Sequence, residues 1–186
     1  MMRAKSLAAL ARLTLAGLAA LPSLVAAGPA MSADTSPVGL WQTVDPETHQ
    51  PSGWFAITEH DGVYTGTLVK MFLRPGQDPN VVCSACRGDR HAQPWLGLQI
   101  IRDMKAEGEH NYQGGTILDP RDGNVYDAMM ELSPDGQTLT VRGYLGIALL
   151  GRNQYWTRLP DSDFRQIDPS IRSKLAADPH PTYRRH

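Results

Sequence analysis

The chain has 186 residues, with 18 Lys and Arg against 19 Asp and Glu, for a formal net charge of −1. That length suits one domain, and the charge balance excludes a general attraction to nucleic acid or to an acidic membrane surface. Apolar residues at 41% and charged residues at 20% describe an ordinary globular chain rather than a disordered one, and 17 Gly with 14 Pro announce many turns.

The chain opens on a targeting pattern. Arg3, Lys5 and Arg12 precede a short apolar run, Leu13 to Leu21, and Val25-Ala26-Ala27 places small residues where a signal peptidase cuts. The run is too short to span a bilayer comfortably. Residues 1–27 therefore read as a secretory signal peptide cleaved near Ala27, with no transmembrane segment left afterwards. No Cys follows the cut to carry a lipid anchor. Losing three cations from a chain of net −1 leaves a mature charge of −4. The expected location is outside the cytoplasm.

Residues 28–38, rich in Ala, Ser and Pro, read as a flexible leader. The body, 39–159, reads as β throughout. A short strand is expected at Trp41–Val44. A hairpin follows, Gly53–Glu59 with Val63–Phe72, turning at His60-Asp61-Gly62 because Asp-Gly supplies the left-handed residues of a tight turn. Leu73–Pro94 is a long loop. Further runs lie at Leu96–Arg102 and at Tyr112–Leu118, the latter carrying a Gly114-Gly115 bend or bulge. Asp119 to Gly123 is a turn, with Asp119 and Asp122 as turn formers. Asn124–Leu132 and Thr138–Leu145 pair across a Ser133–Gly136 turn, and Arg152–Leu159 completes eight strands. With no long amphipathic helix to cover sheet edges, the expected fold is an all-β, eight-stranded antiparallel up-and-down barrel. A β-sandwich is the competing fold. Residues 160–186 form a polar tail with a short helix over Ser170–Ala177 behind Asp168-Pro169.

Alternation puts Tyr126, Ala128, Met130 and Leu132 on the core face, and leaves Asp127 and Glu131 solvated. Val63–Phe72 has no clean winner: Leu68 and Phe72 share one face, Val69 and Met71 the other. Either both faces are covered there or the interior is not fully dry.

Several positions bear on function. Arg158 in the last strand is placed to lay its guanidinium over Trp41 in the first, with Gly39 letting the backbone pass beneath, a cation–π closure of the barrel end. Cys83 and Cys86 are the chain's two cysteines, and in an exported chain they read as a disulfide clipping the long loop. Thiol exchange, and zinc held with two of His60, His91 or His110, are the competing readings. Candidate ligand-binding residues are Tyr126, Arg142, Tyr144, Arg152 and Trp156, where an arginine at a barrel mouth anchors a carboxylate or phosphate. The chain carries no serine-hydrolase elbow, zinc-protease motif, phosphate loop or dinucleotide fingerprint. Neither a cofactor nor a catalytic residue is assigned, and an enzyme is the less expected outcome.

The blocks Gly39-Leu40-Trp41, Pro94 to Leu98, Gly114 to Pro120, Gly123 to Tyr126, Val141 to Arg152 and Gln154 to Arg158 fall in an order that resembles a secreted bacterial domain-of-unknown-function family, number 2147. The resemblance implies a lipocalin-like (calycin) barrel without established activity, and carries the family's Gly-x-Trp and late Arg onto Gly39, Trp41 and Arg158. Such barrels bind small hydrophobic or amphipathic molecules, which is the first functional expectation. A filled barrel presenting Leu145, Ile147, Leu149 and Leu150 to a partner protein is the second. A thiol-redox or hydrolytic enzyme using Arg142 with Tyr126 or Tyr144 is the third.

Overall fold

A computed structural model describes residues 36–177. The expected signal segment, most of the leader and the end of the tail, with Pro179 and Pro181, lie outside the described residues. Eight antiparallel strands, each paired with the next and the last with the first, form a closed barrel. They are β1 (Gly39–Val44), β2 (Pro51–His60), β3 (Val63–Met71), β4 (Gln99–Ala106), β5 (Asn111–Leu118), β6 (Val125–Leu132), β7 (Thr138–Tyr144) and β8 (Arg152–Leu159), followed by one helix, α1 (Pro169–Ala177).

Seven strands lie within two residues of their sequence-derived bounds, and β4 is displaced. The expected segment was Leu96–Arg102, but the strand runs from Gln99 to Ala106. Gly97 adopts φ +88°, and Leu98 N–H turns back to Trp95 O at 3.0 Å, so the apolar start of the run is a turn. The polar end continues as strand through a bulge in which Asp103 takes a left-handed φ of +60°. Opposite it, the β5 register breaks between Tyr112 and Gly115. The sequence pattern undervalued this end because its outward residues are charged.

The interior is filled by the strands' own side chains. Trp41, Ile57, Ile101, Met104, Met130, Leu139 and Trp156 are each at most 2% exposed. Phe55 stacks on Trp156 with ring centroids 4.6 Å apart, and Tyr64 meets Tyr112 edge-on at 4.8 Å.

A second apolar cluster lies outside the barrel, and it explains the ambiguous third strand. Leu40, Trp54, Ala56 and Val69 point outward and are covered by Ile167 and Ile171 of the C-terminal segment. Around Leu68 and Val69 both faces of β3 are therefore buried. Phe72 joins this outer cluster rather than the side of Leu68. Trp54 pairs with Lys70 and Phe55 with Leu68, leaving Val69 as an extra residue that reverses the alternation beyond it. The α1 start is capped by Asp168, whose carboxylate accepts from Ser170 N–H at 2.7 Å.

Candidate functional site

The antiparallel meander sends alternate loops to opposite ends, and the two ends are built differently. One end carries the entry to β1 and the short connections after β2, β4 and β6. It is closed by Arg158, which pairs with Trp41 across β1 and β8. The guanidinium lies 4.3 Å from the Trp41 ring centroid. It donates from Nε to Gly136 O at 2.6 Å, from Nη1 to Val38 O at 2.9 Å and from Nη2 to Ser36 O at 2.6 Å. Trp41 Nε1–H donates to Pro37 O at 2.8 Å. Gly39 sits at φ +142°, where a Cβ would come within 2.7 Å of Arg158 Nη1. A side chain there would displace the guanidinium.

The other end, the mouth, carries the segments 45–50, 72–98, 119–124 and 145–151. The longest of these folds over the opening. Cys83 and Cys86 are disulfide-bonded and belong to the interior cluster, at 0% and 3% exposure. The Cys83 sulfur lies 3.3 Å from Pro120 O. A Cβ on Gly123 would stand 2.1 Å from Ala85 O, so only glycine lets the 119–124 turn reach the clipped loop. Arg102 on β4 holds Asp89 of the loop through two hydrogen bonds, at 3.1 and 2.6 Å. That hydrogen bonding, joined by the Arg102 charge, keeps the Asp89 carboxyl below its ordinary range. In the neighbouring turn Asp119 accepts from Arg121 N–H at 3.0 Å and Asp122 from Asn124 N–H at 2.9 Å, so both shape the turn. Hydrogen bonds from the Arg121 side chain hold Asp119 below the usual carboxylate range.

The five ligand candidates do not converge. Trp156 is wholly buried in the interior, and Tyr126 packs against that cluster from the mouth side. Arg152, exposed, pairs with Gly143 at the mouth end of β8. Arg142 and Tyr144 alternate with the buried Val141 and stand on the outer face. Arg142 donates from Nε to Ala148 O at 2.6 Å, from Nη2 to Leu149 O at 2.9 Å and from Nη1 to Asn153 Oδ1 at 2.6 Å. It fastens the 145–151 loop. The sulfurs of a thiol exchanger must meet a partner's sulfur, and this pair is buried. Among the described residues no group of three His, Cys, Asp or Glu side chains is placed to hold a metal ion.

Sequence reasoning placed Leu145, Ile147, Leu149 and Leu150 on an exposed surface, as they are, and missed that the other exposed aliphatic side chains join them at one end of the barrel. Leu145, Ile147, Leu149 and Leu150 are 68, 65, 85 and 75% exposed, and all lie on one mouth loop. Val44, Leu73, Val82 and Val125, each more than 40% exposed, sit on the other mouth segments or the strand ends beside them. Apart from Tyr155, these eight are the large hydrophobics exposed among the described residues. The available signal was their position next to turn-forming Pro, Gly and Asp residues.

A closed eight-stranded antiparallel barrel with a tied-off end, a loop-covered mouth and a C-terminal helix is a lipocalin-like architecture. Within that class, the chain belongs to the bacterial DUF2147 family, described as an uncharacterized protein conserved in bacteria, whose model matches residues 39–158. A solved structure titled as protein HP1028 from the human pathogen Helicobacter pylori, belonging to the lipocalin family, superposes with a TM-score of 0.59 at 17% identity. The match covers 74% of this chain and 95% of that one, and at this identity it speaks for the fold. No curated protein matches the chain.

Proposed function

We propose that this is an exported lipocalin-like protein that works at a lipid surface, its barrel mouth seated on the acyl region of an amphipathic lipid. The observation behind this reading is the gathering of all eight exposed large aliphatics at the mouth end. Four lie on the 145–151 loop, Leu73 and Val82 on the 72–98 segment, and Val44 and Val125 at the mouth ends of β1 and β6. A protein cleft receives a compact knob, whereas a ring of apolar tips suits a flat, deformable apolar layer. Arg142 holds the most protruding loop in place, so little ordering entropy opposes its insertion. Export is supported by the targeting pattern of residues 1–27 and is compatible with a disulfide in a two-cysteine chain. No helix among the described residues is long and apolar enough to cross a membrane.

Co-sedimentation with zwitterionic phosphatidylethanolamine–phosphatidylcholine vesicles tests this. The protein is expected to pellet with vesicles, and the double variant Leu149→Asp/Leu150→Asp to lose at least tenfold in partitioning while melting at the same temperature. Protein that stays in the supernatant, or a double variant that pellets equally, overturns the proposal.

The lipocalin likeness supports a second reading, a small hydrophobic molecule inside the barrel. The side chains that fill the interior would have to move to admit it. Mass spectrometry of organic extracts from natively purified protein distinguishes the two: a lipid-sized molecule at unit stoichiometry favours the interior, and an empty protein that still binds vesicles favours the rim.

A further inference from the structure

The outer face of β5–β8 carries an open groove of about 460 Å³ that runs from Glu107 and Asn111 to Arg142 and Asn153, and shares only Arg142 with the lipid reading. Its floor follows from strand register. Asn111 faces Glu131, Glu131 faces Thr140, and Thr140 faces Tyr155, so four outward side chains form one continuous row across four strands. A second row, Met129, Arg142 and Asn153, runs beside it in register, with Gln113 on the β5 side. At the usual strand spacing of about 4.8 Å, a four-strand row spans about 14 Å.

The composition of these rows is selective. Tyr155, 63% exposed in the middle of β8, continues the row beyond Thr140 and flanks the groove rather than lining it, and Asn153 contacts its hydroxyl from Nδ2 at 3.4 Å. The rest are polar groups, the amides of Asn111, Gln113 and Asn153, the Glu131 carboxylate, the Thr140 hydroxyl and the Arg142 guanidinium, around the thioether of Met129. The Asn111, Gln113, Glu131 and Thr140 side chains have no hydrogen-bond partner among the described residues, so their donors and acceptors face the groove unspent. Arg142 already donates from three nitrogens to the 145–151 loop and Asn153. With Glu131 and Glu107 at its wall, the groove does not favour an anion.

We propose that this groove is a binding site for a neutral, hydroxyl-rich oligosaccharide. A pyranose ring presents an apolar face of C–H groups, which seats on the electron-rich face of an exposed tyrosine. Its equatorial hydroxyls both donate and accept, as the amide and carboxylate side chains along the row require. An extended ligand is called for because the polar groups continue along the row rather than closing into a pocket. Phosphorylated, sulfated and uronic-acid glycans are disfavoured by the carboxylates.

A glycan array carrying neutral and acidic oligosaccharides, followed by calorimetric titration of the wild-type protein with its strongest ligand, tests the site. Saturable binding to neutral glycans is expected. Tyr155→Ala should weaken it at least tenfold and Tyr155→Phe less than threefold, since the phenyl face retains the stacking. The paired variant Asn111→Ala/Gln113→Ala should weaken binding with an unchanged melting temperature. Leu149→Asp/Leu150→Asp should leave it untouched, which separates this site from the rim. Absence of glycan binding overturns the proposal, as does preference for acidic glycans or equal binding by Tyr155→Ala.

Discussion

The two ends of the barrel solve the same problem in opposite ways. At the closed end one charged side chain, Arg158, reaches three main-chain carbonyls and an indole ring, joining residues more than a hundred positions apart. At the mouth, a loop of local construction is clipped by a disulfide spanning three positions and tied down by two ion pairs, Arg102 with Asp89 and Arg74 with Asp45. The closed end stabilises by long-range contacts that exist only in the folded barrel. The mouth stabilises itself locally, and its tips are apolar and exposed. An end that carries the fold's closure is poorly suited to change for binding. A separately clipped end can meet a partner while the barrel stays shut.

That contrast predicts a graded series of effects. Trp156→Ala removes a fully buried indole stacked on Phe55, and should cost about 3–5 kcal/mol of global stability, read by denaturant unfolding. A loss under 1 kcal/mol would mean that the interior is not packed as described. Arg158→Ala should cost about 2–4 kcal/mol, because three partly buried carbonyls lose their donor and Trp41 loses its cation. Arg158→Lys should recover only part of it, as an ammonium cannot span the three carbonyls. Full rescue by lysine would reduce the closure to simple charge.

Mouth effects should be smaller and local. Replacing both cysteines by alanine should lower stability by about 2 kcal/mol at most, given the very short loop the bridge closes. Hydrogen exchange should quicken at the Cys83 and Ala92 amides, which bond within the clipped loop, while the β1–β8 amides stay protected. Equal loss of protection at both ends would break the contrast. The smallest effect is acid loosening of the loop. The folded Asp89 carboxyl titrates below its unfolded value, held down by hydrogen bonds from Arg102. Its contribution is therefore complete above the ordinary Asp range and disappears as pH falls through the lower folded value. Exchange at the loop amides should rise below the ordinary Asp range, and Asp89→Asn should remove that dependence. An unchanged pH profile in the variant would assign the loosening to another group.

Much of the barrel was legible because its strands are short, apolar and separated by turn-forming residues. The Asp61-Gly62 turn and the Gly114-Gly115 bulge are chain-local events, and their residues state them. The displaced β4 was not legible, because its outward Arg102, Asp103 and Lys105 look like loop until β3 and β5 pair on either side. Nor was the segment that covers Leu40, Trp54, Ala56 and Val69, which arrives about a hundred residues later as Ile167 and Ile171. The Trp41–Arg158 closure was legible as a contact, but the ligand candidates were legible as residues and not as places. Arg142 and Trp156 are adjacent in kind to mouth residues, yet one fastens an outer loop and the other fills the core.

The sequence by itself determined the strand count, the turns and the pairing of neighbours, because those depend on side-chain alternation and backbone preference over a few residues. Only the tertiary structure decided that Val44, Leu73, Val82 and Val125 gather with the 145–151 loop at one end. It also decided whether the interior is occupied, and which outward residues line up across four strands. These properties depend on register between distant segments, and register is fixed by the closing of the sheet on itself.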